Sequence, residues 1–125
     1  MSSLPHITDA EHKVMKLLWE KEPLSANEII LKLTEEMEWS DQTIKTFLNR
    51  LHKKKAIRFE KVGRNYVYYP LVSYEEYVTS ENRSFLDRVY NGAVGMLFAK
   101  FIEEENLSDK DIKDLQQLLQ EKKKS

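Results

Sequence analysis

The sequence predicts a mainly α chain in which three short helices and a β-hairpin are followed by a second, wholly helical region. Three observations predict it. A Ser or Thr stands three residues ahead of an acid at Thr8/Glu11, Ser25/Glu28, Ser73/Glu76 and Ser108/Asp111, each time before apolar residues at three-and-four spacing. The hydroxyl can take the amide of the acid while the acid returns to the cap's own amide, a local signature of a helix start. After Lys55 the apolar period shortens to two, the period of a strand. The charge is also uneven: residues 42–66 hold eight Lys or Arg against the single Glu60, a net +7 in a chain of formal net charge -1.

In chain order, the first helix runs from Thr8 to about Glu20, with Ala10, Val14, Leu17 and Leu18 on one face and Pro23 beyond its end. The second starts at Ser25 and buries Ile29, Ile30 and Leu33; Met37-Glu38-Trp39 makes a short turn in which Trp39 is a core anchor. The third, within Trp39 to Lys55, is capped by Ser40 and buries Ile44, Phe47, Leu48 and Leu51. Its other face carries Gln42, Thr43, Lys45, Thr46, Asn49, Arg50 and Lys53, with no carboxylate after Asp41. A solvated helix face ordinarily mixes signs, because opposite charges four apart support the helix and like charges repel. Hydroxyls, amides and cations donate to phosphates and base edges, so this face is a candidate DNA surface. Lys45, Thr46 and Asn49 are assigned to bases, and Thr43, Arg50 and Lys53 to phosphates.

Next, Ile57, Phe59 and Lys61 alternate with Arg58 and Glu60, Val62-Gly63-Arg64-Asn65 offers turn chemistry, and Tyr66-Val67-Tyr68-Tyr69 returns to Pro70. That is a hairpin. Three helices and a basic-tipped hairpin make a winged helix-turn-helix, in which the third helix enters the major groove. Lys61, Arg64 and Tyr66 are the candidate backbone contacts of the wing. Residues 1–72 form this domain and residues 73–125 the helical region. The latter is read as a helix from Ser73 to about Tyr90, a break at Asn91-Gly92, a helix from Ala93 to Glu104, and a helix begun by Ser108. Amphipathic helices in a unit of ~50 residues hide too little surface to be stable alone. A symmetric dimer is therefore expected, through Phe85, Val89, Met96, Leu97, Phe101, Ile112, Leu115, Leu118 and Leu119.

Several function classes are disfavoured. The chain has no cysteine, which removes disulfides, thiolate metal sites and a cysteine nucleophile and suits a cytoplasmic protein. His6, His12 and His52 are too scattered for a metal site, and no cofactor is expected. There is no Gly-rich phosphate loop, His-Glu metal motif or Ser-His-Asp arrangement, so an enzyme is not expected. No apolar run approaches the ~18 residues of a membrane span, and the N-terminus lacks a signal-peptide layout.

Ile7-Thr8-Asp9-Ala10-Glu11 with Val14-Met15 and Trp19, then Ser25-Ala26-Asn27-Glu28-Ile29, then Ser40-Asp41-Gln42-Thr43-Ile44-Lys45-Thr46 with Leu48, Arg50, Leu51 and Lys54, resemble the penicillinase repressor family of BlaI/MecI type, which includes CopY copper-responsive repressors. The resemblance implies a homodimeric transcriptional repressor, its two winged domains on a palindromic double-stranded operator of a β-lactam resistance or related stress-response operon. It also implies an inactivating protease that cuts an Asn-Phe bond in the C-terminal helices; the corresponding pair here is Lys100-Phe101. CopY-type members carry Cys-x-Cys copper motifs, which a chain without cysteine lacks, and His12 stands where the family often has Trp. Two rivals share the fold: a protein-interaction module whose basic face docks an acidic partner, and a regulator holding a small ligand among its C-terminal helices.

Overall fold

A computed structural model of the chain describes residues 4–124. Among these, α1 (Asp9–Glu20), β1 (Leu24–Ser25), α2 (Ala26–Met37), α3 (Asp41–Lys53), β2 (Ile57–Val62), β3 (Asn65–Pro70), α4 (Tyr74–Tyr90), α5 (Val94–Glu104) and α6 (Asp109–Lys124) follow in order. The fold is a winged helix-turn-helix followed by further helices.

The four capping boxes form in both directions. Thr8 accepts from the Glu11 amide at 3.2 Å while Glu11 accepts from the Thr8 amide at 3.0 Å. Ser25/Glu28, Ser73/Glu76 and Ser108/Asp111 repeat the exchange. Each hydroxyl contributes about 1 kcal/mol. The third helix starts without an acid at the return position: Ser40 Oγ takes the Thr43 amide at 3.2 Å, and Asp41 lies in the first turn.

The end of α3 fixes where the wing begins. Ala56 donates to Leu51 O at 2.9 Å and Lys55 to His52 O at 3.0 Å, with Lys55 at φ 65. This is the paired-bond helix stop that favours glycine at the left-handed position. Lys55→Gly should therefore raise stability by about 1 kcal/mol, measured by urea denaturation; an unchanged midpoint would contradict the cost assigned to that residue.

The hairpin pairs Ile57 with Pro70 through to Val62 with Asn65, so its loop is the two residues Gly63 and Arg64. Gly63 has φ 64, and a Cβ there would meet nothing within 4 Å, so backbone conformation alone asks for glycine. A third strand completes the sheet, in the order β1-β3-β2: Leu24 pairs with Tyr68 and Ser25 with Val67. The helices close over it through Val14, Met15, Leu18, Ile29, Leu33, Ile44, Leu48 and Leu51, and Ala56 and Ile57 join the same core from the start of the wing. Leu17, Ile30 and Phe47, expected inside, are only partly buried, whereas Met15 is fully enclosed because α1 packs against α2, α3 and β3 at once. Trp39 packs edge-on to Phe47, ring centres 5.0 Å apart, at the border of this core.

The chain divides into two compact units inside α4, one ending at Ser80 and the other beginning at Glu81. In the first, Trp19 donates its indole N–H to Val72 O at 2.8 Å, and its ring meets those of Tyr74 and Tyr77. Trp19→Phe replaces the indole by a smaller ring and leaves the buried Val72 O without its donor, and should cost about 2 kcal/mol, again by urea denaturation. In the second unit α4 stops at Asn91 and Gly92, both at positive φ. Leu86 is buried there, and α5 and α6 bury no residue fully.

Candidate nucleic-acid interface

Burial of Ile44, Leu48 and Leu51 fixes the roll of α3 and decides which side chains face out. Lys45, Asn49 and Lys53, spaced by four, form one exposed stripe beside exposed Gln42. Arg50 is exposed to one side of it, its guanidinium 6.0 Å from the Phe47 ring centre. The two threonines sit lower. Thr43 and Thr46 are half-buried; Thr43 Oγ1 shares a hydrogen bond with Ser40 Oγ at 2.9 Å, and Thr46 Oγ1 donates to Gln42 O at 2.9 Å. With its proton committed, the Thr46 hydroxyl offers lone pairs rather than a donor.

The eight cations of residues 42–66 are not equivalent. Lys54 turns inward, donating to Glu11 Oε1 and to His6 O at 2.9 Å. Arg58 lies 4.0 Å over the Tyr69 ring and pairs with Glu60 at 2.9 Å. Lys45, Arg50, Lys53, Lys55, Lys61 and Arg64 make no ion pair with a described residue. These six carry the outward positive charge.

Glu11 is the buried partner that sequence periodicity missed. It is 1% exposed. Burial acts to raise its pKa, but the hydrogen bond from Lys54 and that from the Thr8 amide outweigh burial and hold it below the ordinary 4.5. One carboxylate thus caps α1 and anchors the end of α3.

On the wing, strand alternation puts Phe59, Lys61, Tyr66 and Tyr68 on one face and Arg58, Glu60, Val62, Asn65, Val67 and Tyr69 on the other. Lys61 is directly across from Tyr66, whose ring meets Phe59 edge-on at 5.2 Å. Arg64 stands exposed in the turn. Phe59 also reaches α3, its ring centre 4.7 Å from that of His52, a contact that the two-residue alternation did not reveal.

In the second unit, Phe85, Val89, Met96, Phe101, Ile112, Leu115, Leu118 and Leu119 are exposed and Leu97 is half-buried. Val94, Phe98 and Ile102 join them. The Lys100-Phe101 bond lies inside α5, with Lys100 paired to Glu104 at 2.8 Å. Among the described residues, no group of His, Asp or Glu is placed to hold a metal, and no helix is long and apolar enough to cross a membrane. A groove of about 850 Å³ lies between α1 and the β3–α4 junction, lined by Lys13, Lys16, Trp19, Leu71 and Tyr74 among others.

Residues 7–121 match the family model described as penicillinase repressor. The chain is 40% identical over 123 residues to the penicillinase repressor of Bacillus licheniformis, covering 98% of this chain and 96% of that one. It is 35% identical over 116 residues to the methicillin resistance regulatory protein MecI of Staphylococcus aureus strain N315, covering 93% and 94%. Among solved structures it is similar to the DNA-binding domain of the repressor BlaI, with TM-score 0.56, 42% identity, and 62% of this chain and 94% of that one covered. It is equally similar, with TM-score 0.55, 42% identity and the same coverage, to the monomeric form of Bacillus licheniformis BlaI in complex with the blaP half-operator.

Proposed function

The chain belongs to the penicillinase repressor family, and from that premise we propose that it represses transcription as a homodimer that occludes a palindromic operator. The acid-free stripe Lys45, Asn49, Lys53 on a helix whose other side is locked in the core carries this reading. It is supported by the 42% identity, over the winged domain, to a repressor whose structure holds a half-operator. Lys45, Thr46 and Asn49 face bases; Thr43, Arg50 and Lys53 face phosphates, as do Lys61, Arg64 and Tyr66 on the wing. In this reading residues 1–72 bind DNA and residues 73–125 dimerise. The second unit leaves its large apolar residues largely exposed, a surface that a second copy would cover. Two recognition helices then dock about one helical turn, or a multiple of it, apart.

The regulated genes in this reading are those of a β-lactam resistance or related stress response. The protein acts in the cytoplasm and has no enzymatic activity. Release follows a cut between Lys100 and Phe101 by a partner protease, which would sever α6 from the rest. Mass spectrometry of the protein from β-lactam-treated cells should find a fragment ending at Lys100; intact chain throughout would remove the protease from the reading.

Operator selection from a random DNA pool, read alongside mass in solution, tests the whole. Recovery of a palindrome by a dimer supports it. Failure to enrich any sequence, with the fold intact, would leave a winged domain that docks an acidic protein. Within the interface, Arg50→Ala should weaken specific and non-specific DNA alike and lower the salt slope by about one, while Asn49→Ala should mainly erode discrimination between operator variants. Equal losses for both across a panel of variants would refute that division of roles.

A further inference from the structure

We infer that Phe59 is a positioning residue for DNA binding, holding the wing at a fixed angle to the recognition helix through its ring contact with His52. The inference rests on the DNA-binding reading. β2 leaves the core after Ile57, and β1 flanks β3 only at Val67 and Tyr68, so the pairs Lys61–Tyr66 and Val62–Asn65 extend past the three-stranded part of the sheet. Two strands alone hold a direction poorly in water.

Phe59 stands at the root of that projecting piece. Its ring meets Tyr66 edge-on at 5.2 Å and Tyr68 at 5.8 Å, so it grips the opposite strand at two positions. On the other side it meets His52, in the last turn of α3, at 4.7 Å and an interplanar angle of 48°. Aromatic pairs at such distances and tilts attract specifically. Yet Phe59 is 40% exposed and outside the enclosed core, a poor position for a stability residue and a good one for a brace. It shares a strand face with Lys61 and Tyr66, so its footing on α3 sets where those side chains and the Arg64 turn sit relative to Lys45 and Asn49. The DNA contacts of helix and wing then engage as one rigid set.

The test uses the full chain and its selected operator, with affinity read across a salt series. Phe59→Ala should weaken binding roughly tenfold and make the slope of log affinity against log salt shallower by about two, as though Lys61 and Arg64 no longer reached phosphate. In a Lys61→Ala/Arg64→Ala background the same substitution should do almost nothing further, because what it positions is gone. Phe59→Tyr should restore wild-type values. His52→Ala, on the exposed side of the helix, removes the other half of the brace and should show the same non-additivity even if Phe59→Ala folds poorly. Losses that add to those of the wing charges, or an unchanged salt slope, would overturn the inference while leaving the repressor reading intact. Wild-type protein that selects no DNA would overturn both.

Discussion

In the homodimer proposed above, replacing Leu115 and Leu119 together by Asp should yield a monomer and weaken the hold on a full palindromic operator by about 10²- to 10⁴-fold. Both lie on α6 four residues apart; Leu119 is 65% and Leu115 40% exposed. Two carboxylates in a covered apolar surface would be left without partners, which a dimer would not tolerate. Binding to an isolated half-site should barely change, since the recognition helix is untouched and the loss is that of linkage between two sites. Sedimentation and half-site titration separate the two effects. A variant that stays dimeric, or a monomer with undiminished operator affinity, would remove α6 from the interface.

Lys54→Ala should destabilise the winged domain by about 3 kcal/mol. The figure is at the low end for a broken buried pair because the Lys54 side chain is 31% exposed, whereas that of Glu11 is 1% exposed. The pH dependence is more telling than the size. Held below 4.5, the Glu11 carboxyl contributes stability that is fully present above its unfolded value and is lost as pH falls through the folded one. Without Lys54 its largest remaining influence is burial, which favours the neutral acid. The stability that Glu11 adds as pH rises should then shrink, because burial is opposed only by the two Thr8 hydrogen bonds. Urea denaturation from pH 3 to 7 reads the difference between the proteins, and parallel curves would mean that Lys54 does not neutralise Glu11.

Local features were legible in the sequence and non-local ones were not. The four capping boxes and the helix they open are written within four residues, so Thr8, Ser25, Ser73 and Ser108 could be placed from spacing alone. The hairpin could be placed from its change of period and Gly63. The two-residue strand Leu24–Ser25 could not, because it exists only by pairing with Tyr68 and Val67 more than forty positions away. Glu11 reads as a helix-start acid, and nothing nearby announces that Lys54, 43 residues on, will come to it. The same pairing removes one cation from a charge count that treated all eight alike, and Arg58 on Tyr69 and Glu60 removes another. For Thr43 and Thr46, residue type marks hydrogen-bonding capacity, but only the folded turn shows that each hydroxyl is already engaged.

The withdrawal of Lys54 and Arg58 also shapes how the protein searches for its site. With six cations left outward on α3, its end and the wing, and a formal net charge of -1 over the chain, attraction to a polyanion acts as a torque more than as a pull. The winged domain turns its reading side to the duplex before contact. Local positive charge on a chain of net charge -1 thus biases encounters with DNA towards the reading orientation, which speeds the search without tightening the final hold.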